Sequence, residues 1–181
     1  MKDWQRADSA QVFRCRVFNV RRDESYSPLT GEAHEFFVIE PTHWVNVIAV
    51  TPERQVVLVE QYRHGINRVT LEIPGGIIDG DELPEAAARR ELLEETGYEA
   101  ENWRLIGINE PNSAIQNNRC YTYLAEQSRL IVSQRLDQTE DIDVHLAPLD
   151  SIAGLIMDGK INHALVIAAF YYYDHFKKVE N

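Results

Sequence analysis

Glu91, Glu94 and Glu95 are the residues of this chain whose types and spacing most plainly ask for chemistry. They fall three and four positions apart, so on a helix they share one face within about a 100° arc. Like charges stacked in this way repel and push one another toward the neutral form. Keeping them ionised takes a counter-charge, and a hard divalent cation with oxygen ligands is the usual one. The neighbourhood sharpens the demand: Asp79, Asp81, Glu82, Glu85 and the three glutamates stand against only Arg89 and Arg90. An anionic substrate reaches such a surface only with metal between. The plainer reading is a surface helix laced with salt bridges to the two arginines. It leaves the flanking glycines, Gly75-Gly76 before and Gly97 after, without a reason.

The elements that must position these carboxylates are legible as patterns. TLEIP is a short strand running into Gly75-Gly76, where the missing side chains let backbone come close. Pro84 stands where a first helical turn tolerates it and Gly97 at the position just past a helix end, so a helix is predicted between them. WVNVIAV and VVLVEQYR before it read as strands, as do residues 103–109, 119–125 and 142–146 after it. Residues 149–157 and 162–178 read as helices. Together these make a mixed α/β core. Ahead of it, residues 11–20 alternate as one half-buried strand and residues 34–40 as a second, with Ser27-Pro28 and Thr30-Gly31 as breakers. Two strands alone are marginal in water. This N-terminal hairpin, residues 1–41, must therefore pack on the main domain, residues 42–181, or on a second copy.

Length and composition bound the rest. A chain of 181 residues with 44% apolar content is one ordinary domain, or one with a small appendage. No run of about 18 apolar residues offers a membrane helix, and MKDWQRADSA lacks the apolar stretch of a signal peptide. Cys15 and Cys120 make no framework and read as reduced, so the cytoplasm is the expected compartment, with no membrane partner. The net charge of −11 opposes a nucleic-acid surface, which wants a basic stripe.

Gly76, five residues, Glu82, seven residues, Arg90-Glu91-Leu92, one residue, Glu94-Glu95, one residue, Gly97-Tyr98: this string resembles the Nudix box without departure. The resemblance covers most of residues 42–181. It implies an α/β fold, the Nudix α/β/α sandwich with a mixed β-sheet, here with an N-terminal antiparallel β-hairpin extension. It also implies a metal site in which the Gly75 carbonyl, Glu91 and Glu95 are ligands and Glu94 is a shared or neighbouring one. Mg2+ is the expected ion, with Mn2+ a substitute. Arg90 then orients the carboxylates, and Glu82 pairs with Arg90.

EQYRHG, residues 60–65, and LEIPGG, residues 71–76, resemble the branch of that family that cleaves ADP-ribose and related nucleoside diphosphate sugars. On that resemblance Arg63 clamps phosphate, and Glu72 and Glu60 are further substrate-binding candidates, Glu72 by accepting hydrogen bonds from a base or ribose. The branch also places an acidic loop before a strand like that at 142–146, with a glutamate in it as general base. In QTEDIDVHL, residues 138–146, Glu140 holds that position and Asp141 stands in reserve. The branch forms homodimers with exchanged N-terminal strands, and Trp4 and Trp44 are candidates to stack on a base. One stretch departs from it. PNSAIQNNRC offers Asn112, Gln116, Asn117 and Asn118 where some ADP-ribose hydrolases are acidic and glycine-rich, and amides could read a hexose. Of the histidines only His64 is placed to line the site; His34, His43, His145, His163 and His175 show no ligand spacing.

The expected reaction is metal-dependent hydrolysis of the diphosphate bond of a nucleoside diphosphate sugar to a nucleoside monophosphate and a sugar phosphate. Alternatives are a Nudix pyrophosphatase for a nucleoside triphosphate or dinucleoside polyphosphate, and a non-catalytic nucleotide-sugar sensor, against which the intact box argues.

Overall fold

The N-terminal residues form three strands, not two. In the computed structural model, which describes residues 2–137 and 140–180, strands β1 (Gln5–Arg14), β2 (Phe18–Tyr26) and β3 (Ala33–Pro41) pair antiparallel in that order. The single strand expected over residues 11–20 is cut at residues 15–17, where the Cys15 N–H bonds the Phe18 carbonyl at 3.0 Å. Alternation continues on both sides of so tight a turn, so periodicity alone runs through it. Asp23 ties the sheet together, accepting from Ser9 Oγ and from Arg21 Nε. Trp4 meets Phe36 edge-on, with ring centroids 5.1 Å apart.

Contacts divide the chain into two units: Met1–His43 with Glu110–Arg119, and Trp44–Asn109 with Cys120–Asn181. The amide-rich segment thus belongs with the N-terminal sheet. The Ile39 N–H bonds the Ile115 carbonyl at 2.8 Å. Asn117 Nδ2 donates to Glu40, and Asn118 Nδ2 to the Thr42 carbonyl. Those two side chains, read in the sequence as sugar contacts, are engaged in holding their own segment to β3 and the residue after it.

The second unit carries β4 (Trp44–Val50), β5 (Gln55–Arg63), β6 (Arg68–Glu72), β7 (Gly75–Ile77), α1 (Pro84–Thr96), β8 (Tyr98–Glu99), β9 (Asn102–Asn109), β10 (Cys120–Glu126), β11 (Arg129–Leu130), β12 (Ile142–Pro148), α2 (Ile152–Met157) and α3 (Ala164–Glu180). Its mixed sheet runs β12-β5-β4-β10-β9, with β6 on β5 and β7 on β4; β4 and β10 are parallel. The helix expected over residues 149–157 begins as a 3-10 turn, Leu149–Ser151, before α2.

Successive side chains on β4 point to opposite faces. Val45, Val47 and Ala49 pack with Ala87, Ala88 and Leu92 of α1. Ile48 and Val50 pack with Ile152 of α2 and Val166, Ala169 and Phe170 of α3. Burial on both faces is why this strand reads as a nearly unbroken apolar run, and the result is the expected α/β/α sandwich. No helix of the described residues is long and apolar enough to cross a membrane.

Candidate active site

The short strand β7 is laid against β4 by the pairs Val45–Gly76 and Asn46–Gly75. Both glycines are demanded by crowding: a Cβ on Gly75 would collide with the Val45 carbonyl, and one on Gly76 with the Glu91 carboxylate. Helix α1 therefore lies with its glutamate face directly on the glycine turn. Gly97 closes the helix at φ 74°, its N–H bonding the Leu93 carbonyl, a conformation that favours glycine.

Glu91 and Glu95 are buried, at 8% and 4% exposure. Glu95 Oε2 accepts the Gly75 N–H at 2.9 Å. Arg90 spreads across the rest. Its Nε and Nη2 bond Glu82 at 3.2 and 2.9 Å, Nη2 also donates to the Ile77 carbonyl, and Nη1 bonds Glu91 at 2.8 Å and Glu94 at 3.3 Å. One guanidinium is too little for this much negative charge. Burial pushes Glu91 up to about 6, with Glu94 and Glu140 adding to the push and Arg90 opposing it. Burial pushes Glu95 up to about 8, against the Gly75 hydrogen bond and with help from Glu91 and Glu140.

Among the described residues no three of His, Cys, Asp and Glu are gathered so as to hold a metal ion. The donors that do converge are hard oxygens, two of them carboxylates whose ionisation is resisted by burial first and by neighbouring negative charge second. That donor chemistry fits a hard divalent cation and not a soft one.

A second charged group adjoins the cradle. Arg63, at the end of β5, forks onto Glu72 of β6: Nε to Oε1 at 2.9 Å and Nη2 to Oε2 at 2.7 Å. Thr70 Oγ1 donates to Oε1 at 2.6 Å, and His163 Nδ1 sits 3.0 Å from Oε2. Glu72 is thus closed off by protein, where the sequence suggested acceptors open to a base or ribose. The Arg63 charge is felt at Glu95. Beside it, Trp44, Arg63, His64, Glu72, Asn162 and His163 line a cavity of about 460 Å3, with the Arg63 guanidinium 5.9 Å from the Trp44 ring centroid. Glu60 is not part of this group: it pairs with His145 Nε2 of β12 at 3.0 Å.

The acidic loop is anchored by residues that the sequence did not single out. Gln134 Nε2 donates to the Glu95 carbonyl at 2.6 Å and to the Ile142 carbonyl at 3.0 Å. The Arg135 N–H bonds the Glu94 carbonyl at 2.9 Å. Glu140 follows, exposed, its carboxylate accepting the Asp137 N–H at 2.9 Å. Gln138 and Thr139, which open the segment read as the base loop, lie outside the described residues. Glu140 is near enough that its charge raises both Glu91 and Glu95.

A family profile described as NUDIX domain matches residues 41–170. The chain belongs to the Nudix family. It is a hydrolase acting on pyrophosphate bonds. This Nudix chain is 29% identical to the ADP-ribose pyrophosphatase of Bacillus subtilis (strain 168) over 163 residues, 90% of this chain and 88% of that one. It is 32% identical to the methanol dehydrogenase activator of Bacillus methanolicus over 165 residues, again 90% and 88%. The crystal structure of an ADP compounds hydrolase shares the fold, with a TM-score of 0.88 and 21% identity over 100% of this chain and 97% of that one.

The Nudix string therefore spans β7, the following loop and α1, and the structure brings Gly76, Glu82, Arg90, Glu91, Glu94 and Glu95 to one place. His163, Thr70 and Gln134 are the polar residues around it that sequence reasoning passed over. His163 stands 91 positions from Glu72 and Gln134 39 from Glu95, so no local spacing carried a signal.

Proposed function

We propose that this Nudix hydrolase cleaves the diphosphate bond of nucleoside diphosphate sugars, ADP-ribose among them, with water, giving a nucleoside monophosphate and a sugar phosphate. The observation that carries the reading is Arg63 beside the glutamate cradle. Two of its five N–H donors are spent on Glu72, and the other three have no partner among the described residues. A fixed guanidinium with donors to spare is suited to a phosphate group. The name of the Bacillus subtilis relative supports ADP-ribose as a substrate.

In this reading the Gly75 carbonyl, Glu91 and Glu95, with Glu94 beside them, hold Mg2+ or Mn2+. A bound divalent ion there supplies neutralising charge for the diphosphate and acidifies water. Arg90 orients Glu91 and Glu94 through Nη1. Arg63 clamps the diphosphate, and Glu72 serves the substrate through Arg63 and not by contact. Trp44 offers the flat wall on which a base can stack. Glu140, on its anchored loop, takes the proton from the attacking water.

The working enzyme is a homodimer with exchanged N-terminal strands. In support, the three-stranded sheet leaves Trp4, Val12, Phe13, Phe36 and Phe37 exposed, more apolar surface than so small a sheet leaves open without a partner. Both cysteines are free, which suits the cytoplasm.

The test is phosphate release, through a coupled phosphatase, from ADP-ribose, several nucleoside diphosphate hexoses, nucleoside triphosphates and dinucleoside polyphosphates in the presence of Mg2+. ADP-ribose and several hexose compounds should be cleaved with kcat/KM within about a hundredfold of one another. Turnover confined to triphosphates or to dinucleoside polyphosphates overturns the substrate class. Tight binding of a sugar nucleotide with no turnover makes the chain a sensor.

A further inference from the structure

His163 stands immediately before α3 and is pinned there, its carbonyl accepting the N–H groups of Val166 and Ile167. From that fixed point its Nδ1 lies 3.0 Å from Glu72 Oε2. Burial pushes the Glu72 carboxyl up. The two-pronged hydrogen bond from Arg63, the Arg63 charge and the Thr70 hydroxyl oppose that push, and the carboxyl lies well below the usual carboxylate range. Glu72 is therefore ionised, and an ionised carboxylate only accepts. The proton of this hydrogen bond must sit on His163 Nδ1. The ring is fixed as a donor to Glu72, while its Nε2 has no protein partner among the described residues.

The same carboxylate sets the angle of the Arg63 guanidinium through two parallel bonds. Thr70 grips Oε1, and His163 grips Oε2. Each oxygen that meets Arg63 is thus braced by one further donor. Arg63 is itself partly open, its side chain 30% exposed, so water competes for it whenever Glu72 can swing.

We propose that His163 is a positioning residue for substrate binding: through Nδ1–H it braces Glu72, which holds Arg63 so that its remaining N–H donors face the substrate diphosphate. This rests on the reading of Arg63 as the phosphate clamp. A histidine that merely closes the start of a helix would affect stability and leave substrate affinity alone.

Three variants separate the possibilities. Asn places an amide N–H near the position of imidazole Nδ1, and Gln places one near that of Nε2. With the best nucleoside diphosphate sugar of the wild type, His163→Ala and His163→Gln should raise KM about tenfold with kcat within about twofold, and His163→Asn should keep KM within about threefold of wild type. Nitrogen NMR of the intact protein should show His163 protonated at Nδ1. An unchanged KM in the Ala variant overturns the proposal, as do a fall confined to kcat, rescue by Gln in place of Asn, and an Nε2–H tautomer. The NMR arm uses wild-type protein, so a variant that fails to fold leaves it intact. If the wild type cleaves no sugar nucleotide, the substrate reading fails by itself. The tautomer, and KM on whatever diphosphate is cleaved, still decide the role of His163.

Discussion

The Gly75 N–H donates to Glu95 Oε2 across 2.9 Å, tying the strand turn to a carboxylate that burial pushes up to about 8. The bond favours the ionised form, and burial wins. The folded value lies above the ordinary 4.5, so without metal the native state keeps a proton that the unfolded chain gives up. Stability should then fall as pH rises from about 4.5 to about 8, with Glu91 contributing up to about 6. Glu72 acts oppositely, since its stabilisation is lost only as pH falls below its ordinary 4.5. Thermal melts in chelator should give a higher Tm near pH 5 than near pH 8, and excess Mg2+ should flatten that slope. A metal-free Tm that climbs steadily over the same range contradicts the burial argument.

Glu95→Gln and Glu91→Gln should each lower turnover by at least about a hundredfold at saturating Mg2+, the loss expected when a cation that stabilises transition-state charge is no longer held. Both should stay folded, and near pH 8 in chelator the Glu95→Gln protein should melt no lower than wild type, because a neutral amide suits the buried site. Near-normal activity in either variant removes that residue from the ligand set.

Gly76→Ala tests the cradle without touching a charge. The added Cβ meets the Glu91 carboxylate, so Glu91 must move, and the activity loss should approach that of Glu91→Gln. Gly154→Ala in α2, where a Cβ meets nothing within 4 Å, should be neutral or stabilising by up to about 1 kcal/mol. Equal activity in the two alanine variants would falsify the close-approach argument.

Glu140→Gln keeps shape and removes the proton acceptor. The catalytic rate should fall by roughly 10²–10⁴ with substrate and Mg2+ affinity little changed, and Asp141→Asn should cost much less. Reversed results make Asp141 the base. Two mild variants reduce the loop to a solvated turn.

Light scattering at micromolar concentration should give twice the chain mass of 20.9 kDa. Replacing exposed Phe36 and Phe37 with Ser should shift the protein toward a single chain. A wild-type mass near that of one chain removes the dimer.

The Nudix helix was legible in the sequence because its determinants act over one or two turns. Pro84 and Gly97 bound it, the glutamates share a face by their three- and four-residue spacing, and Arg90 reaches Glu94 one turn on. The sandwich was legible because β4 is apolar on both faces, a pattern that only a doubly covered strand sustains. What the sequence left open depends on contacts with no period. Alternation could not reveal the turn at residues 15–17, because strands on both sides of it alternate alike. Glu72 alone reads as an acceptor with free lone pairs. Where β6 ends and α3 begins decides that His163, Thr70 and Arg63 occupy them. Glu140 comes near the cradle because Gln134 and Arg135 bond the far end of α1. The His163–Glu72 and Gln134–Glu95 hydrogen bonds form only after the sheet and helices have packed, since it is packing that brings residues so far apart in the chain within about 3 Å of one another.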